Sequence, residues 1–274
     1  MSGRLPLSFT AGRLLMRLRP APVASLIKRL LRIRRVEIAT AQGTFWVDPA
    51  SYAGLELAQT GVYDPATLSV IRRLVRPAGT FIDIGANEGY FTVVASGLVG
   101  PLGRVIAVEP QARLEAVLER NLALNRCTNV AVIHAAISDH SGTAVLHLTP
   151  DVNNAASGLA APTRYRLETQ PTVLMTLADL LARAPGEPPV VKMDIESFEH
   201  EAIHGGEALF RAGAVRALIL ELHVDMLRRR GLDVDAVPRL LRACGYEQAP
   251  LFSGLVWARP AALERGPPPS GPGP

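Results

Sequence analysis

The stretch Thr80-Phe-Ile-Asp-Ile-Gly-Ala-Asn-Glu-Gly-Tyr90 decides the fold. Its apolar run ends in Asp83, a turn bounded by glycines follows, and the residues after the turn have helical composition. A second apolar run, Arg104-Val-Ile-Ala-Val-Glu-Pro110, ends in the acid Glu109. Strand, turn, helix and strand in this order open a doubly wound sheet, in which ligands bind beyond the carboxyl ends of the strands. The sequence therefore predicts an α/β protein with a ligand site at these two strand ends.

The turn departs from the fingerprint that binds dinucleotides. That fingerprint needs a second glycine, which lets the backbone approach a pyrophosphate closely, but Asn87 stands between Gly85 and Gly89. Asp83 also places a carboxylate where a diphosphate would lie. A cofactor with a ribose, a positive charge and no phosphate fits better, and S-adenosylmethionine has these features. Glu109 can then accept hydrogen bonds from both ribose hydroxyls.

Length and charge limit the organisation of the chain. With 274 residues, 48% of them hydrophobic, it can bury one good-sized α/β core and little more. Nine of its 29 basic residues and none of its 25 acidic residues lie within residues 1–36, so the basic charge belongs to an N-terminal arm. The rest of the chain is mildly acidic, and a nucleic-acid partner is therefore not predicted.

Three segments are predicted: a basic arm over residues 1–35, one folded domain over 36–259, and a disordered Pro/Gly tail over 260–274. No apolar run reaches the roughly 18 residues of a membrane span, and no secretory signal is recognisable. Cys127 and Cys244 lack metal-ligand spacing and are expected to be free thiols. The sequence thus predicts a soluble, cytoplasmic protein.

The arm has an amphipathic helical pattern. Apolar residues between positions 26 and 31 share one helical face, and the basic residues Lys28, Arg29 and Arg32 take the other. Such a helix either lies on an anionic membrane surface or packs on its own domain with its arginines in water. The pattern leaves both alternatives open, so peripheral membrane contact through residues 1–35 is a hypothesis.

Seven short motifs stand at predicted strand ends and turns: Gly61-Val-Tyr63, Phe81-Ile-Asp-Ile-Gly-Ala-Asn-Glu-Gly-Tyr90, Val108-Glu-Pro110, Ala135-Ala-Ile-Ser-Asp139, Thr176-Leu-Ala-Asp179, Val191-Lys-Met-Asp-Ile-Glu196 and Ile219-Leu-Glu221. In this order they resemble the FkbM family of S-adenosylmethionine-dependent methyltransferases, and the resemblance runs from about Gly61 to Gly245. The Lys-x-Asp-x-Glu block, with Glu199 three residues on, is the part most specific to that family. One departure is Ser197, where the family usually has glycine.

The resemblance implies a Rossmann-like methyltransferase fold, with a mostly parallel, seven-stranded doubly wound sheet and an antiparallel last strand. It implies S-adenosyl-L-methionine as cofactor and methyl transfer to a hydroxyl of a sugar, a glycolipid or polysaccharide, or a secondary metabolite. The domain over 36–259 is then a methyltransferase domain. By the same resemblance, Glu109 holds the ribose, and Ile137 and Asp139 flank the adenine. The cofactor turn would consist of Asp83, Gly85, Ala86, Asn87 and Gly89.

Charged residues end a later predicted core strand, Val190–Ile195. Lys192 and Asp194 alternate with apolar residues and so point to one side of the sheet, and Glu196 follows at the turn. Burying a charge on an apolar strand is unfavourable unless the charge is paired or has a function. Lys192 therefore either forms a structural ion pair or takes part in binding or catalysis. An alcohol acceptor must lose its proton as it attacks a methyl group, and a carboxylate can accept that proton. We expect Glu196 to be this base, with Asp194 as the second choice.

Histidines and a polar segment offer further candidates. His223, at the end of the following strand, could act as a base near neutral pH, although a lone histidine there is more often only hydrogen-bonded. His200 and His204 have helical spacing for a metal pair, but no third ligand is evident and no metal is predicted. Tyr63 and the polar segment Pro150–Thr172, interpreted as a loop over the site, are candidates for the acceptor side.

Two competing functions remain. An NAD(P)-dependent oxidoreductase would use the same kind of sheet, but Asn87 in the turn and Asp83 before it count against a dinucleotide. A non-catalytic scaffold would keep only a relic of the cofactor site, and the intact set of Asp83, Glu109 and Asp194 counts against such decay. The sequence names neither the acceptor nor an oligomeric state.

Overall fold

A seven-stranded sheet with helices on both faces forms the centre of the molecule in the computed structural model. The structure describes residues 6–18, 21–149, 168–196, 198–249 and 255–260. A two-stranded hairpin and a three-stranded sheet accompany the main sheet. The strands are β1 Val36–Thr40, β2 Gly43–Val47, β3 Thr80–Ile84, β4 Arg104–Val108, β5 Val130–Ile133, β6 Ala136–Ser138, β7 Gly142–Leu148, β8 Glu168–Thr176, β9 Val190–Met193, β10 Ala217–Leu220, β11 Glu247–Gln248 and β12 Val256–Ala258.

Two of the helices before the main sheet begin at capping residues. Ser51 accepts a hydrogen bond from the N–H of Gly54, and Asp64 accepts one from the N–H of Thr67, so each side chain satisfies a free donor of the first helical turn. None of the described helices has the length and apolar character needed to span a membrane. The helices are α1 Leu7–Arg17, α2 Ala21–Leu30, α3 Tyr52–Thr60, α4 Pro65–Leu74, α5 Tyr90–Val99, α6 Ala112–Leu124, α7 Leu177–Leu181, α8 Glu199–Gly205, α9 Glu207–Ala212, α10 Val224–Arg229 and α11 Ala236–Ala243.

The strand order of the main sheet is β11-β12-β10-β9-β3-β4-β5. Neighbouring strands from β10 to β5 are parallel, and β12 runs antiparallel to both β10 and β11. The chain reverses its direction of growth at β3, which has β4 on one side and β9 on the other. The carboxyl end of β3 is therefore the switch point at which such sheets bind ligands. This topology confirms the predicted doubly wound sheet with an antiparallel last strand.

The central strands are apolar on both faces because helices cover both sides of the sheet. Phe81 and Ala107 belong to a buried cluster with residues of α4 and α5, whereas Ile82 and Ile106 belong to a second cluster with residues of α7, α8 and α11. Asp83 is fully buried within β3. A charge at such a position requires a partner, and Asp83 has this partner in Lys192.

The small sheet of β6, β8 and β7 corrects the loop predicted over Pro150–Thr172. β8 begins at Glu168 and pairs antiparallel with β7, where Leu148 stands opposite Glu168. The start of β8 is polar because most of its side chains there are exposed, and this polar composition made the strand look like a loop. The parts of the chain outside the described residues include 150–167 of the predicted loop, Ser197 and the tail 261–274.

Helices α1 and α2 pack on the domain by one face. Phe9 is buried, and Gly12 lies so close to Pro49 that an added Cβ would stand 2.0 Å from its carbonyl oxygen. Lys28 forms an ion pair with Asp48 and so ties α2 to the domain. Packing of the arm on its own domain, one of the two predicted alternatives, is therefore present, while the other face of these helices is exposed.

Candidate active site

A cleft at the carboxyl ends of β3, β4 and β9 collects half of the predicted site residues. From the predicted cofactor set it is lined by Gly85, Asn87, Glu109 and Ile137, and from the predicted catalytic set by Asp194 and Glu196. Five of these six stand at or just beyond strand ends of the main sheet, which brings them together, whereas Ile137 comes from β6 of the small sheet.

Two glycines shape the turn after β3. Gly85 has a φ of 80°, and an added Cβ would stand 1.9 Å from the carbonyl oxygen of Asp194. Gly89 precedes α5 with a φ of 85°, and a Cβ there would meet Leu118 at 2.4 Å. Asn87 has a left-handed φ of 50°, which asparagine tolerates better than most residues. The close approach of the turn to the end of β9 therefore requires glycine at position 85.

Glu109 stands beyond the carboxyl end of β4 and closes one side of the cleft. Its Oε2 accepts a hydrogen bond from the N–H of Asn87 at 2.8 Å, and its Oε1 accepts one from the N–H of Gln111 at 3.0 Å. Burial raises the pKa of Glu109, and these two hydrogen bonds oppose the rise. Each carboxylate oxygen has a further lone pair, so Glu109 can still accept hydrogen bonds from the hydroxyls of a ligand.

Asp83 lies beneath the turn and does not line the cleft. Oγ1 of Thr92 donates a hydrogen bond to its Oδ2 at 2.7 Å, and Nζ of Lys192 lies 3.3 Å from its Oδ1. Lys192 also donates to the carbonyl of Gly85 at 3.3 Å and lies 3.9 Å from Asp194. Burial lowers the pKa of Lys192, but Asp83 and Asp194 outweigh burial and leave the pKa raised. The ion pair of Lys192 thus joins the turn to Asp194.

Asp139 is also outside the cleft, on the exposed surface. Nδ1 of His140 lies 2.6 Å from its carboxylate, and Oγ of Ser138 donates to the same oxygen at 3.1 Å. The contact with His140 lowers the pKa of Asp139. Of the two residues predicted to flank the adenine, the structure therefore brings Ile137 to the cleft and Asp139 to the surface.

Asp194, Glu196 and His223 come together beside the cleft. Nε2 of His223 lies 3.6 Å from Oδ1 of Asp194 and 3.6 Å from Oε2 of Glu196. Its Nδ1 lies 3.1 Å from Oε1 of Glu199, which is fully buried. Glu199 also accepts a hydrogen bond from the N–H of Ile195 at 3.1 Å. The backbone of the turn after β9 thus holds the carboxylate of Glu199, the first residue of α8, against His223.

The electrostatics of this cluster favour proton exchange near neutral pH. Burial raises the pKa of Glu196 to about 7, a rise that His223 opposes and Asp194 strengthens. Burial would lower the pKa of His223, but Glu199, Glu196 and Asp194 raise it to about 9. At neutral pH His223 is therefore protonated, while Glu196 is close to its midpoint. A carboxylate in this state can take up a proton efficiently.

The same cluster has the geometry of a metal site. Ligand atoms of Asp194, Glu196 and His223 all lie within 4.8 Å of one another, so these residues can hold a divalent cation. The sequence did not indicate this cluster, because β10 brings His223 to two acids that are distant in sequence. His200 and His204 stack on each other with ring centroids 4.1 Å apart, and among the described residues no third ligand joins them.

A second, largely aromatic cavity adjoins the cleft. Tyr63, Asn87 and Asp194 line both cavities. The rings of Tyr63 and Tyr90 meet edge to face with centroids 5.6 Å apart, and burial raises the pKa of Tyr63. The sequence placed Tyr63 on the acceptor side and also predicted Ala86 and Lys192 as site residues, but it did not indicate the rest of this wall. Its other residues include Met16, Phe45, Val47, Tyr52, Leu57, Tyr90, Phe91 and Lys192.

The fold and the cleft define a Rossmann-like methyltransferase, and comparison with known families agrees. The family model described as the Methyltransferase FkbM domain matches residues 83–247, more than half of the chain, and the protein belongs to this family. The model for protein-L-isoaspartate(D-aspartate) O-methyltransferase matches residues 25–139. This match confirms the predicted family and its cofactor, S-adenosylmethionine, and counts against the NAD(P)-dependent oxidoreductase.

Solved structures show weaker likenesses. Methyltransferase FkbM from Methylobacillus flagellatus KT is 14% identical, with a TM-score of 0.40 over 88% of this chain and 54% of that one. Fibrillarin from Aeropyrum pernix, in complex with natively bound S-adenosyl-L-methionine, is 13% identical, with a TM-score of 0.36 over 67% of each chain. A SAM-dependent methyltransferase from Aquifex aeolicus is 22% identical, with a TM-score of 0.25 over 29% of this chain and 40% of that one.

These TM-scores are too low to carry an argument about function. The chain spans about half of the length of the Methylobacillus structure and less than half of the Aquifex structure. No curated protein matches the sequence significantly. The family match establishes the family and its cofactor. It does not identify the acceptor.

Proposed function

We propose that this enzyme, through a methyltransferase domain over residues 36–259, methylates a hydroxyl oxygen. The acceptor is a small molecule or glycan: a sugar, a glycolipid or polysaccharide, or a secondary metabolite. The observation that carries the proposal is the carboxylate cluster where the two cavities meet. Asp194 lines both cavities, and Glu196 beside it has a pKa of about 7. A hydroxyl needs a proton acceptor as it attacks, and the cluster supplies one.

The residues of the cleft fit S-adenosylmethionine by their chemistry. Glu109 has lone pairs available for the two ribose hydroxyls, and buried Ile137 offers an apolar wall to the adenine. The turn over residues 85–87 would hold the methionine portion. Asp83 and Gly89 support this turn from behind, through Lys192 and through packing on α6. Asp139, which lies on the surface, has no part in this assignment.

The protein's own residues then perform two tasks. When bound, the cofactor supplies an electrophilic methyl group on a sulfonium. The aromatic cavity holds the acceptor beside it, and such positioning is the main source of rate in a displacement of this kind. The ionised carboxylate of Glu196 takes the hydroxyl proton, with Asp194 as the second choice. Protonated His223 offsets the negative charge of both acids, and Lys192 keeps Asp194 in register with the turn.

We propose that this chemistry needs no metal ion. The imidazolium of His223 stands 3.6 Å from both carboxylates, where a divalent cation would bind them. Its pKa of about 9 retains that charge at neutral pH. A metal ion would have to displace this proton, because a metal-bound imidazole is neutral. The protein itself thus already supplies positive charge beside both carboxylates.

A product analysis tests the acceptor class. The enzyme is incubated with S-adenosylmethionine and a panel of sugars, glycolipids and polyketide alcohols, and S-adenosylhomocysteine formation is measured. We expect a product with a new O-methyl group, identified by mass spectrometry and NMR. Methylation at nitrogen or carbon, with every hydroxyl acceptor inert, would contradict the proposal. Cofactor binding without transfer to any acceptor would instead favour the non-catalytic scaffold.

A further inference from the structure

An exposed apolar ridge on α1 and α2 is a feature that methyl transfer leaves unused. Of the eleven large hydrophobic side chains that are exposed in the described part of the chain, seven lie between positions 7 and 31. Leu7 is 88% exposed, Leu14 64% and Leu30 73%. Leu26 and Leu30 are one helical turn apart on α2 and share a side of that helix. Exposed apolar side chains concentrated in one segment in this way are typical of a contact with something outside the molecule.

Contacts between these helices and the domain determine which side chains of α1 and α2 face outward. Leu15 and Ala24 are buried with Ala50 in a small cluster of their own. The ion pair of Lys28 with Asp48 anchors α2 to the segment after β2. The exposed leucines therefore belong to helices that are already docked on the domain, and their direction away from it is a property of the fold.

Positive charge accompanies the ridge, and no acidic residue precedes Glu37. Lys28 and Arg35 are paired with Asp48 and Glu88. Within the described residues, the other basic side chains of α1, α2 and the turn after them have no carboxylate partner. These exposed side chains are Arg13, Arg17, Arg29, Arg32 and Arg34.

Charge complementarity selects an anionic bilayer as the occupant of this face. A bilayer offers an apolar interior to the leucines and negative headgroups to the arginines. A second copy of the chain, docked by the same face, would bring arginines against arginines, and like charges across an interface are unfavourable. The ridge and its arginines together therefore match a membrane surface better than a copy of themselves.

The aromatic cavity lies between α1 and the site. Met16 of α1 lines that cavity, and so does Tyr52 of α3, whose side chain is 67% exposed. Tyr52 therefore lies where the cavity meets solvent. At its inner end the cavity reaches Asn87 and Asp194. An amphiphile whose apolar part stays in a bilayer beneath α1 could extend its polar head along this cavity toward Asp194.

We propose that α1 and α2 dock the enzyme on an anionic membrane surface, and that its acceptor is a hydroxyl on a membrane-bound amphiphile. The acceptor class rests on the proposed hydroxyl methylation, whereas the docking does not. The two can therefore fail separately: vesicle binding tests the docking, and methyl transfer in solution tests the function.

Vesicle flotation with the full chain is the direct test. The protein should float with vesicles of equimolar phosphatidylcholine and phosphatidylglycerol, should remain unbound with phosphatidylcholine alone, and should be released as salt rises. The double variant Leu26→Glu/Leu30→Glu should lose this binding. Leu102→Glu is the matched control, because Leu102 is 87% exposed but lies outside the ridge, and it should bind like the unmodified protein.

Calorimetry with S-adenosylmethionine shows that the variants are folded, because cofactor affinity should be the same in all of them. Equal flotation of the double variant, or no flotation of the unmodified protein, would overturn the docking. A dimer that light scattering detects and the double variant abolishes would assign the face to a second copy and overturn it as well. With vesicle binding intact, transfer to water-soluble alcohols but not to a lipid-linked alcohol in the vesicles would overturn the acceptor class alone.

Discussion

Nδ1 of His223 lies 3.1 Å from Oε1 of Glu199, a carboxylate whose side chain has no exposed surface. This contact turns Nε2 of His223 toward Asp194 and Glu196, each 3.6 Å away. A buried carboxylate favours the charged form of a neighbouring imidazole. His223 is therefore protonated where it faces Asp194 and Glu196. Glu199 is thus a positioning residue, which acts on the site through His223.

Glu199→Gln should lower the pKa of His223. Burial alone lowers this pKa, and Glu199 is the partner that contributes most to its rise to about 9. Without that charge the pKa should move toward the ordinary value for histidine. Titration of the imidazole by NMR measures the change, and the resonance of His140, which pairs with Asp139 instead, serves as control. An unchanged pKa of His223 would show that Glu199 does not set its charge.

Turnover should have a bell-shaped dependence on pH. Glu196 has to be ionised to accept a proton, so activity should rise as pH passes about 7. His223 has to be protonated to offset the acids, so activity should fall as pH passes about 9. Glu196 and His223 influence each other's titration, so the two limits are apparent pKa values of the cluster. A profile that stays flat from below the first limit to above the second, measured with saturating substrates, would contradict the assignment.

Glu109→Ala should weaken binding of S-adenosylmethionine by about 1.5–3 kcal/mol, the scale of a hydrogen bond to a charged group. The buried carboxylate stands at the cleft with lone pairs free for the ribose, and it also holds the N–H of Asn87. Titration calorimetry measures the affinity. Glu119→Ala, on the exposed side of α6, is the control and should leave affinity unchanged. Unaltered binding in the Glu109 variant would remove this residue from the cofactor site.

Gly85→Ala should destabilise the protein and abolish cofactor binding. Its φ of 80° costs a residue with a Cβ about 1–3 kcal/mol, and the Cβ would clash with the carbonyl of Asp194 at 1.9 Å. Gly97→Ala is a matched control, because Gly97 lies in α5 with open space around it. That variant should gain about 0.5–1 kcal/mol in the free energy of unfolding. Equal melting temperatures for the two variants would refute the packing argument.

Local pattern was enough to predict the cleft. The apolar runs of β3, β4 and β9 are visible in the sequence because both faces of these strands are buried. Gly85 and Gly89 stand out because a turn between strand and helix needs left-handed backbone. From these features follow the positions of Glu109 and Asp194, since parallel strands end at the same edge of a sheet.

Other parts of the site depend on contacts between distant segments and were not predictable. Glu199 and His223 meet only because α8 and β10 pack together, and the wall containing Phe45 requires the hairpin to lie over α5. The side chain of Asp83 was expected at the cleft but lies beneath the turn, because Thr92 and Lys192 hold it there. No spacing rule in the sequence tells whether the side chain of Asp83 points into the cleft or beneath the turn.

The metal-free mechanism is tested by chelation. Since protonated His223 already offsets part of the negative charge of Asp194 and Glu196, dialysis against EDTA should leave turnover unchanged. The chelator is removed before the assay, and divalent ions are then added back one at a time. Loss of activity that Mg²⁺ or Mn²⁺ restores would contradict this account and would make the same three residues metal ligands.

The most direct test of the central claim, that Glu196 takes the proton of the acceptor hydroxyl, is the turnover number of Glu196→Gln. The variant keeps the shape of the side chain and, by calorimetry, should keep its affinity for S-adenosylmethionine. Turnover should fall by about 10²–10⁴, the usual range for lost general-base catalysis, while Glu119→Gln should behave like the unmodified enzyme. Full turnover in Glu196→Gln, with the cofactor bound normally, would contradict the claim.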